Sequence, residues 1–187
     1  MEAIVKFPSK FSISSSNIQG FVFFQQHTKS EPVKVMVNLS NLPNGIHGFH
    51  IHEYNITDNM IKKFNNKEKI NICKELGGHF NPYNTYHGSY KYNTNRHAGD
   101  LINNLVVNNN KVEIIFYDNL ISLFADEINC IINKSIVIHE ETDDEGLPGF
   151  IALINGKKLN KMEEESLKTG NAGKRIACGN ITLINFT

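Results

Sequence analysis

The stretch IHGFHIHE, residues 46–53, indicates most directly how this chain folds. Polar and apolar residues alternate along it, as they do in a β-strand with one buried face, so the pattern predicts a strand over Ile46–His52. In such a strand His50 and His52 share one face, while Phe49 and Ile51 point to the other. If the apolar face fills a core, both imidazoles point outward, an arrangement found in metal sites but also in ordinary surface strands.

Other segments rich in β-branched and aromatic residues predict further strands, and turn sequences such as Leu42-Pro43-Asn44-Gly45 separate them. These segments are Ala3–Phe7, Ile18–Phe24, Val33–Leu39, Asp100–Val107, Val112–Tyr117, Ser135–His139 and Ile176–Phe186. Short strands without a long helix predict an all-β fold, an eight-stranded antiparallel sandwich or barrel. A length of 187 residues fits one domain, 1–187.

Two connections are too long for a simple sandwich, namely Tyr54–Tyr92 and Glu140–Lys174. Long loops in a compact domain are usually functional or disordered, and these carry many of the histidines and glycines, which favours function. We expect a helical turn in each, within Ile56–Lys69 and Leu159–Lys168.

Composition excludes several classes of protein. Lys plus Arg equals Asp plus Glu, at 19 each, which argues against a nucleic-acid or polybasic membrane-surface binder. The N-terminus has no apolar segment behind a basic start, so we expect no secretory signal and a cytoplasmic protein. In that compartment, free thiols are the default for Cys73, Cys130 and Cys178.

The first long loop and the strand after it carry a second set of metal-binding residue types. His79, His87, His97 and Asp100 could supply the three nitrogens and one oxygen of a tetrahedral zinc site. Each loop histidine taken alone is more simply a surface side chain. A set of them beside an HxH strand, with His139 ending another predicted strand, favours a metal centre.

Several motifs, in order along nearly the whole chain, resemble those of the copper/zinc superoxide dismutases. The matching motifs are Gly48-Phe49-His50-Ile51-His52-Glu53, Gly78-His79-Phe80-Asn81-Pro82, Arg96-His97-Ala98-Gly99-Asp100-Leu101, His139-Glu140 followed by Asp143-Asp144, and Gly170-Asn171-Ala172-Gly173-Lys174-Arg175-Ile176-Ala177-Cys178-Gly179. The resemblance implies a Greek-key β-barrel, a metal-binding loop at about 54–99, an electrostatic-type loop at about 140–174, and conversion of two superoxide radicals to oxygen and hydrogen peroxide.

The resemblance also implies the ligands of two metal ions. Copper would be bound by His50, His52, His79 and His139, and zinc by His79, His87, His97 and Asp100. His79 would bridge the two ions and deliver a proton to the product.

Further roles follow from the same resemblance. Asp143 would hydrogen-bond His50 and His87, Arg175 would attract and dock superoxide, and a disulfide would join Cys73 to Cys178. Cys130 would then stay a free thiol. The expected partners are superoxide, a second copy of the chain in a homodimer, and a copper chaperone. His47 is expected to make structural hydrogen bonds, and His27 to be exposed.

The chain departs from the family pattern in two inserts, around 54–72 and 147–162. The first falls where the family commonly forms its dimer interface, so it bears on the homodimer expectation. The second contains the apolar stretch Phe150–Ile154, which we expect to pack on the barrel or at a subunit contact. The asparagine- and lysine-rich composition would suit an AT-rich genome such as that of a large DNA virus, for which host cytoplasm or virion would be the location.

Two other functions are compatible with parts of this pattern. A catalytically silent metal-binding relative would lack copper ligands or the arginine, and this chain keeps all of them. A purely structural interaction domain would leave the histidines unexplained.

Overall fold

The computed structural model describes residues 1–7, 12–14, 17–65, 71–91 and 95–184. The strands within these ranges are β1 Glu2–Phe7, β2 Ser12–Ser14, β3 Gln19–Gln25, β4 Val33–Ser40, β5 Gly45–His52, β6 Asn103–Val107, β7 Lys111–Asp118, β8 Ser135–His139, β9 Arg175–Asn180 and β10 Thr182–Leu183. The helices are α1 Asp58–Asn65, a 3₁₀-helix Ile72–Leu76, α2 Leu147–Ile154 and α3 Lys161–Thr169.

The strands form two antiparallel five-stranded sheets packed face to face. The sheet ordered β10-β1-β3-β4-β7 is called the open sheet, because the outward-facing residues of its long strands are half-buried or exposed. The sheet ordered β2-β9-β8-β5-β6 is called the covered sheet, because all residues of β8 and residues 47–52 of β5 are buried. The all-β prediction is confirmed.

Every predicted strand corresponds to observed strands, and Ser135–His139 coincides with β8, whereas the ends of the others are shifted. Residues 100–102 precede β6 because Asn103 has φ 59°, a left-handed conformation that interrupts an extended strand. The predicted last strand is divided at Ile181 into β9 and β10, and its residues 185–186 lie outside the described ranges. The short strand β2 was not predicted.

Both predicted helical turns fall on helices, and α2 is an addition to the prediction. Residues 66–69 of the first turn lie outside the described ranges. A capping box at Asn160 and Glu163 begins α3, and Gly170, at φ 66°, ends it. None of the described helices is long and apolar enough to cross a membrane.

The second insert forms a helical hairpin. Gly149 of α2 packs so closely on Leu167 of α3 that an added Cβ would lie 2.3 Å from the leucine Cγ. Ala152 is also buried, whereas Ile151 and Ile154 are 58% and 84% exposed. Within one chain, Ile151 and Ile154 do not pack on the barrel, because an eight-residue helix can press only one face on its neighbour. A subunit contact made by this stretch stays a prediction.

The main core lies between the two sheets. Phe49 and Ile51 of β5 belong to it and are fully buried, as alternation along the strand predicted. A smaller cluster beneath the 3₁₀-helix contains Ile56, Ile72 and Leu76. This second cluster lies on the outward side of the covered sheet, where it anchors the loop that carries His79.

Candidate metal centre

Four histidines meet on the outward side of the covered sheet. His50 and His52 project from β5, His139 ends β8 next to a bulge, and His79 forms an isolated bridge with His52. Each offers one ligand atom within 4.8 Å of the others, and all are buried. The structure thus brings together the first predicted ligand group from three separate parts of the sequence.

Hydrogen bonds to one nitrogen of each ring leave the other nitrogen facing this cluster. His52 Nδ1 lies 3.1 Å from the Gly77 carbonyl oxygen, and His139 Nδ1 lies 3.3 Å from that of Gly173. Since a carbonyl can only accept, these nitrogens carry the protons and each Nε2 presents a lone pair. His50 Nε2 is held at 2.5 Å by Asp143, which leaves its Nδ1 for the cluster.

A second group is centred on the carboxylate of Asp100. Its Oδ1 lies 2.7 Å from His79 Nδ1, 3.0 Å from His87 Nδ1 and 3.2 Å from His97 Nδ1. The four ligand atoms lie within 4.8 Å of one another. His79 belongs to both groups, with Nδ1 in this one and Nε2 toward the first.

The buried polar atoms of the two groups show whether metal ions fit between them. His50 Nδ1, His79 Nε2 and His87 Nδ1 are buried without a hydrogen-bond partner among the described residues. Buried polar atoms rarely stay unsatisfied, and ligation would satisfy all three. Ligands of a tetrahedral zinc ion lie roughly 3.3 Å apart, close to the nitrogen–oxygen separations of 2.7–3.2 Å. The residues fit two metal ions side by side.

Burial sets the protonation of the first group. It lowers the pKa of His50 to about 4 and the pKa values of His79 and His139 to about 3. Burial also lowers the pKa of His52 well below its usual value. All four rings are therefore neutral at neutral pH, which is the form that binds a metal ion.

The electrostatics of the second group are different. Burial acts to lower the pKa of His87, but the carboxylates of Asp100 and Asp143 outweigh it and raise that pKa to about 10. Burial likewise opposes ionisation of Asp100, yet the facing histidines hold its pKa well below the usual range. Two buried carboxylates among imidazoles are stabilised by a nearby positive charge, and a bound cation would supply it.

Asp143 links the two groups. Its Oδ2 contacts His50 Nε2 at 2.5 Å, and its Oδ1 contacts His87 Nε2 at 2.9 Å, which is the arrangement that the family resemblance implied. A carboxylate in this position fixes the orientation of both rings. Although burial opposes it, hydrogen bonds from the two histidines lower the pKa of Asp143.

Sequence reasoning missed the residues that hold Asp143. Asn104 Nδ2 donates to the Asp143 carbonyl at 3.0 Å, and the Asp143 amide donates to Asn104 Oδ1 at 2.8 Å. An added Cβ on Gly170 would lie 2.3 Å from Asp143 Oδ1, so only glycine fits there. The contacts with Asn104 span 39 positions along the chain, and no local pattern in the sequence marks them.

Gly99 holds the loop that carries His97 and Asp100 against β5, a role that sequence reasoning missed. Its amide donates to the Phe80 carbonyl at 2.8 Å, and its carbonyl accepts from the Ile51 amide at 2.9 Å. An added Cβ would lie 2.3 Å from the Ile51 carbonyl oxygen. This close approach places His97 and Asp100 beside the strand that carries His50.

An open cleft of about 280 Å³ leads to the first group. Arg175 lines it together with His79 and His139. The family resemblance implied this position. The guanidinium is half-buried and donates from Nη1 to the Cys73 carbonyl at 2.8 Å and from Nη2 to the Gly77 carbonyl at 2.7 Å. The fixed cation therefore sits beside the histidines at the solvent side.

A disulfide joins Cys73 to Cys178, as the resemblance implied, and Cys130 is free. The bridge ties the 3₁₀-helix to β9, the strand that begins with Arg175. It therefore holds the carbonyls that position Arg175. The expectation of three free thiols from composition alone is wrong for two of them, because the fold brings their Cα atoms to 5.7 Å.

The remaining histidines lie outside both groups. His47 is buried, with Nδ1 at 2.9 Å from the His139 carbonyl and Nε2 at 2.9 Å from the Pro43 carbonyl. These contacts hold the ring between two parts of the chain, which is the structural role expected of it. His27 is exposed, as expected.

Comparison with known proteins agrees with this geometry. A sequence model of the copper/zinc superoxide dismutase family matches residues 18–181. Superoxide dismutase [Cu-Zn] 4 of Dictyostelium discoideum is 36% identical over 168 residues, which are 89% of this chain and 92% of the relative. A putative superoxide dismutase [Cu-Zn] of Autographa californica nuclear polyhedrosis virus is 36% identical over 172 residues, 91% of this chain and 95% of the relative.

A solved structure is also similar. The crystal structure of the clock protein EA4 superposes with a TM-score of 0.72 at 32% sequence identity, covering 98% of this chain and 94% of that chain. The fold and the site together define a two-sheet β-protein with paired metal sites that share one histidine. The chain belongs to the copper/zinc superoxide dismutase family, whose cofactors are copper and zinc.

Proposed function

We propose that this protein is a superoxide dismutase that converts two superoxide radicals into oxygen and hydrogen peroxide. The observation that carries the proposal is the ring of His79, shared between a four-histidine group and a three-histidine, one-carboxylate group. The first group suits copper and the second suits zinc. Residues 1–187 act as a single domain in this proposal.

The assignment of ligands follows the geometry of the two groups. Copper would be held by His50, His52, His79 and His139, and zinc would be held by His79, His87, His97 and Asp100. Bound copper supplies one-electron redox chemistry, while zinc has none and supplies charge and geometry. Asp143 orients His50 and His87 through its two oxygens.

Arg175 binds the anionic substrate in the cleft. Its guanidinium is fixed by two carbonyls, so little of its freedom is lost when superoxide is bound. The cleft admits a diatomic anion easily, and the positive charge draws the anion toward His79 and His139. We assign to His79 Nε2 the uptake of a proton and its delivery to the peroxide product.

The proposal extends to partners and location. A homodimer, transfer of copper from a chaperone, and residence in the cytoplasm are expected of a protein with this family resemblance. Each is checked separately, by sedimentation, by copper loading with and without a chaperone, and by cell fractionation.

The function is tested by metal analysis together with a dismutation assay. Protein with its disulfide formed is loaded with both metals, with zinc alone, or with neither. We expect bound copper and zinc in equal amounts and dismutation that depends on copper. Bound metals without copper-dependent activity would contradict the enzyme and leave a silent metal-binding relative.

A further inference from the structure

The helix α2 lies in the second insert, where the chain departs from the family pattern, and it packs on a helix that borders the metal centre. α2 spans Leu147–Ile154, and α3 spans Lys161–Thr169, just before the motif at residues 170–179 that the chain shares with the family. Gly149 and Ala152 form the buried side of α2. The insert therefore adds a second layer to a loop beside the metal-binding residues.

The helix α3 depends on α2 for its burial. It has nine residues, and helices shorter than about 12 residues are marginal in water without tertiary packing. Its buried residues are Ser166 and Leu167, whereas Met162 is 60% exposed. Leu167 packs on Gly149 of α2, where an added Cβ would lie 2.3 Å from the leucine Cγ and 2.7 Å from the Glu163 carbonyl oxygen. The contact between the two helices therefore requires glycine at this position, and it covers the buried leucine of α3.

The end of α3 holds His87 in two ways. The last four carbonyls of an α-helix have no partner within the helix, and the Leu167 carbonyl is one of these. It accepts from the His87 amide at 2.8 Å. Gly170, which ends α3, lies against the His87 ring, since an added Cβ would be 2.5 Å from Nε2. The position of α3 therefore fixes both the backbone and the ring of His87.

The start of α2 contacts the same part of the chain directly. Gly146, the N-cap of α2, has φ 75°, and an added Cβ would lie 2.6 Å from the His87 carbonyl oxygen. The ring of Phe150 meets the ring of Tyr86 edge-on, with centroids 6.3 Å apart. The hairpin of α2 and α3 thus touches the amide, the carbonyl and the ring of His87.

These contacts bear on the group centred on Asp100. His87 Nδ1 lies 3.0 Å from Asp100 Oδ1, and the amide of the next residue, Gly88, donates to Asp100 Oδ2 at 3.1 Å. Ligands that are already held in place lose little freedom when they bind, which raises affinity. A displacement of α3 would move His87 relative to Asp100 and would therefore weaken metal binding by this group.

We propose that α2 is a positioning element of the group centred on Asp100. It fixes α3, and α3 fixes His87, so the group is formed before a metal ion binds. Gly149 and Leu167 are the positioning residues. The inference rests on the zinc assignment made under the proposed function, but it does not depend on dismutation.

The test is the zinc affinity of the metal-free, disulfide-bonded full chain, measured by competition with a chelator. Gly149→Ala places a methyl group against Leu167 and forces α2 away from α3, and Leu167→Ala removes the side chain that α2 covers. Each is expected to lower zinc affinity about tenfold, the lower end of the loss expected when an outer partner of a metal ligand is removed. Because both variants break one contact, the double variant is expected to lose about tenfold and not about a hundredfold.

Two control variants separate this contact from the rest of the hairpin. Ile154→Ala truncates a residue of α2 that is 84% exposed, so zinc affinity is expected to stay unchanged. Leu167→Met keeps the apolar volume and is expected to retain the affinity that Leu167→Ala loses. Circular dichroism and copper binding by the four-histidine group confirm that each variant is folded.

A spectroscopic measurement separates positioning from a general loss of stability. Cobalt(II) bound in place of zinc absorbs visible light in a way that depends on how its ligands are arranged. At saturating cobalt, wild type, Ile154→Ala and Leu167→Met are expected to share one spectrum, and Gly149→Ala is expected to differ. A variant that only lost stability would keep the wild-type spectrum once the metal is bound.

Four outcomes would overturn the proposal. They are an unchanged zinc affinity in Gly149→Ala, an equal loss in Ile154→Ala, additive losses in the double variant, and a cobalt spectrum that Gly149→Ala does not alter. Dismutation is assayed on the same samples after loading with both metals. An active enzyme whose zinc affinity is indifferent to Gly149→Ala refutes this inference alone, and an inactive chain whose zinc affinity depends on Gly149 refutes the dismutase alone.

Discussion

The open sheet and the covered sheet have five strands each but use their outward faces differently. The open sheet keeps the alternation of buried and exposed residues expected of a sheet with one wet face, as in β4. In the covered sheet, β8 is buried at every position, because long loops pack over it. Burial of polar histidines is tolerated there because each is hydrogen-bonded or faces a metal-binding group. A site that needs neutral, rigid imidazoles therefore lies under loops.

The largest expected loss of activity comes from His139→Ala in the covered sheet. The change removes one of the four ligand atoms of the four-histidine group, so we expect dismutation to fall to background while zinc stays bound in the other group. Metal analysis and the dismutation assay measure both effects. The matched control, His27→Ala, removes an exposed histidine just after β3 of the open sheet and should leave both unchanged. Retained activity in His139→Ala would show that the ligand assignment is wrong.

Removing the disulfide tests how much the loop that packs over the covered sheet depends on this covalent bond. The chain segment between Cys73 and Cys178 spans 105 positions, and loop entropy for about 100 residues predicts a stabilisation of about 4–5 kcal/mol. We expect Cys73→Ser to lower the free energy of unfolding by up to that amount, measured by urea titration. Cys130→Ser removes a free thiol and should change it by less than about 0.5 kcal/mol. Equal effects of the two variants would contradict a structural role for the bridge.

Asp143 tests the link between the two metal-binding groups. Asp143→Asn keeps the shape but loses the charge that holds His50 and His87, and loss of such a partner costs about 10–100-fold in metal affinity. Competition with a chelator measures zinc affinity. Asp144→Asn is the control, since its carboxylate contacts Ser166 and Asn171 of the helical hairpin region instead. Similar losses in both variants would point to a general effect of charge.

Arg175 tests substrate attraction. Arg175→Ala is expected to lower the dismutation rate by about tenfold and to weaken its dependence on ionic strength, with the copper content unchanged. Arg175→Lys keeps the charge but cannot reproduce the fork that donates to Cys73 and Gly77, so it should recover the salt dependence better than the rate. An unchanged salt dependence in Arg175→Ala would argue against docking by this residue.

The free energy of unfolding of the metal-free protein should depend on pH through the histidines on the outward side of the covered sheet. The pKa values of His50 and His79 fall to about 4 and about 3 on folding, so below pH 6.5 the unfolded chain binds more protons and stability falls. The raised pKa of His87, about 10, acts oppositely, because its contribution is complete below pH 6.5 and is lost as the pH rises toward 10. Urea titrations should therefore show a maximum near pH 6.5, with slopes of about 1.4 kcal/mol per pH unit or less for each group. A flat profile, or one unaltered by His87→Gln, would contradict this balance.

The sequence predicted the fold and the members of the two histidine groups because strand alternation and motifs are short-range patterns. Alternation along β5 marked the strand and put His50 and His52 on one side, and ordered motifs identified His79, His97 and Asp100. The same patterns could not reveal α2, whose apolar residues resemble a strand when its contact with Leu167 is unknown. They also could not reveal Asn104 or the role of Gly170, since these act through contacts with Asp143 that depend on the folded arrangement of distant segments.

The position of the two ligand groups along the chain has a consequence for biosynthesis. The group centred on Asp100 lies entirely within residues 79–100, whereas the four-histidine group extends to His139. Arg175 and Cys178 come later still. During translation, all four residues of the group centred on Asp100 are made before His139, the last residue of the four-histidine group. Asp143, which orients His50 and His87, is translated after His139, and Arg175 and Cys178 follow it, so the residues that hold both groups in place are complete only near the end of translation.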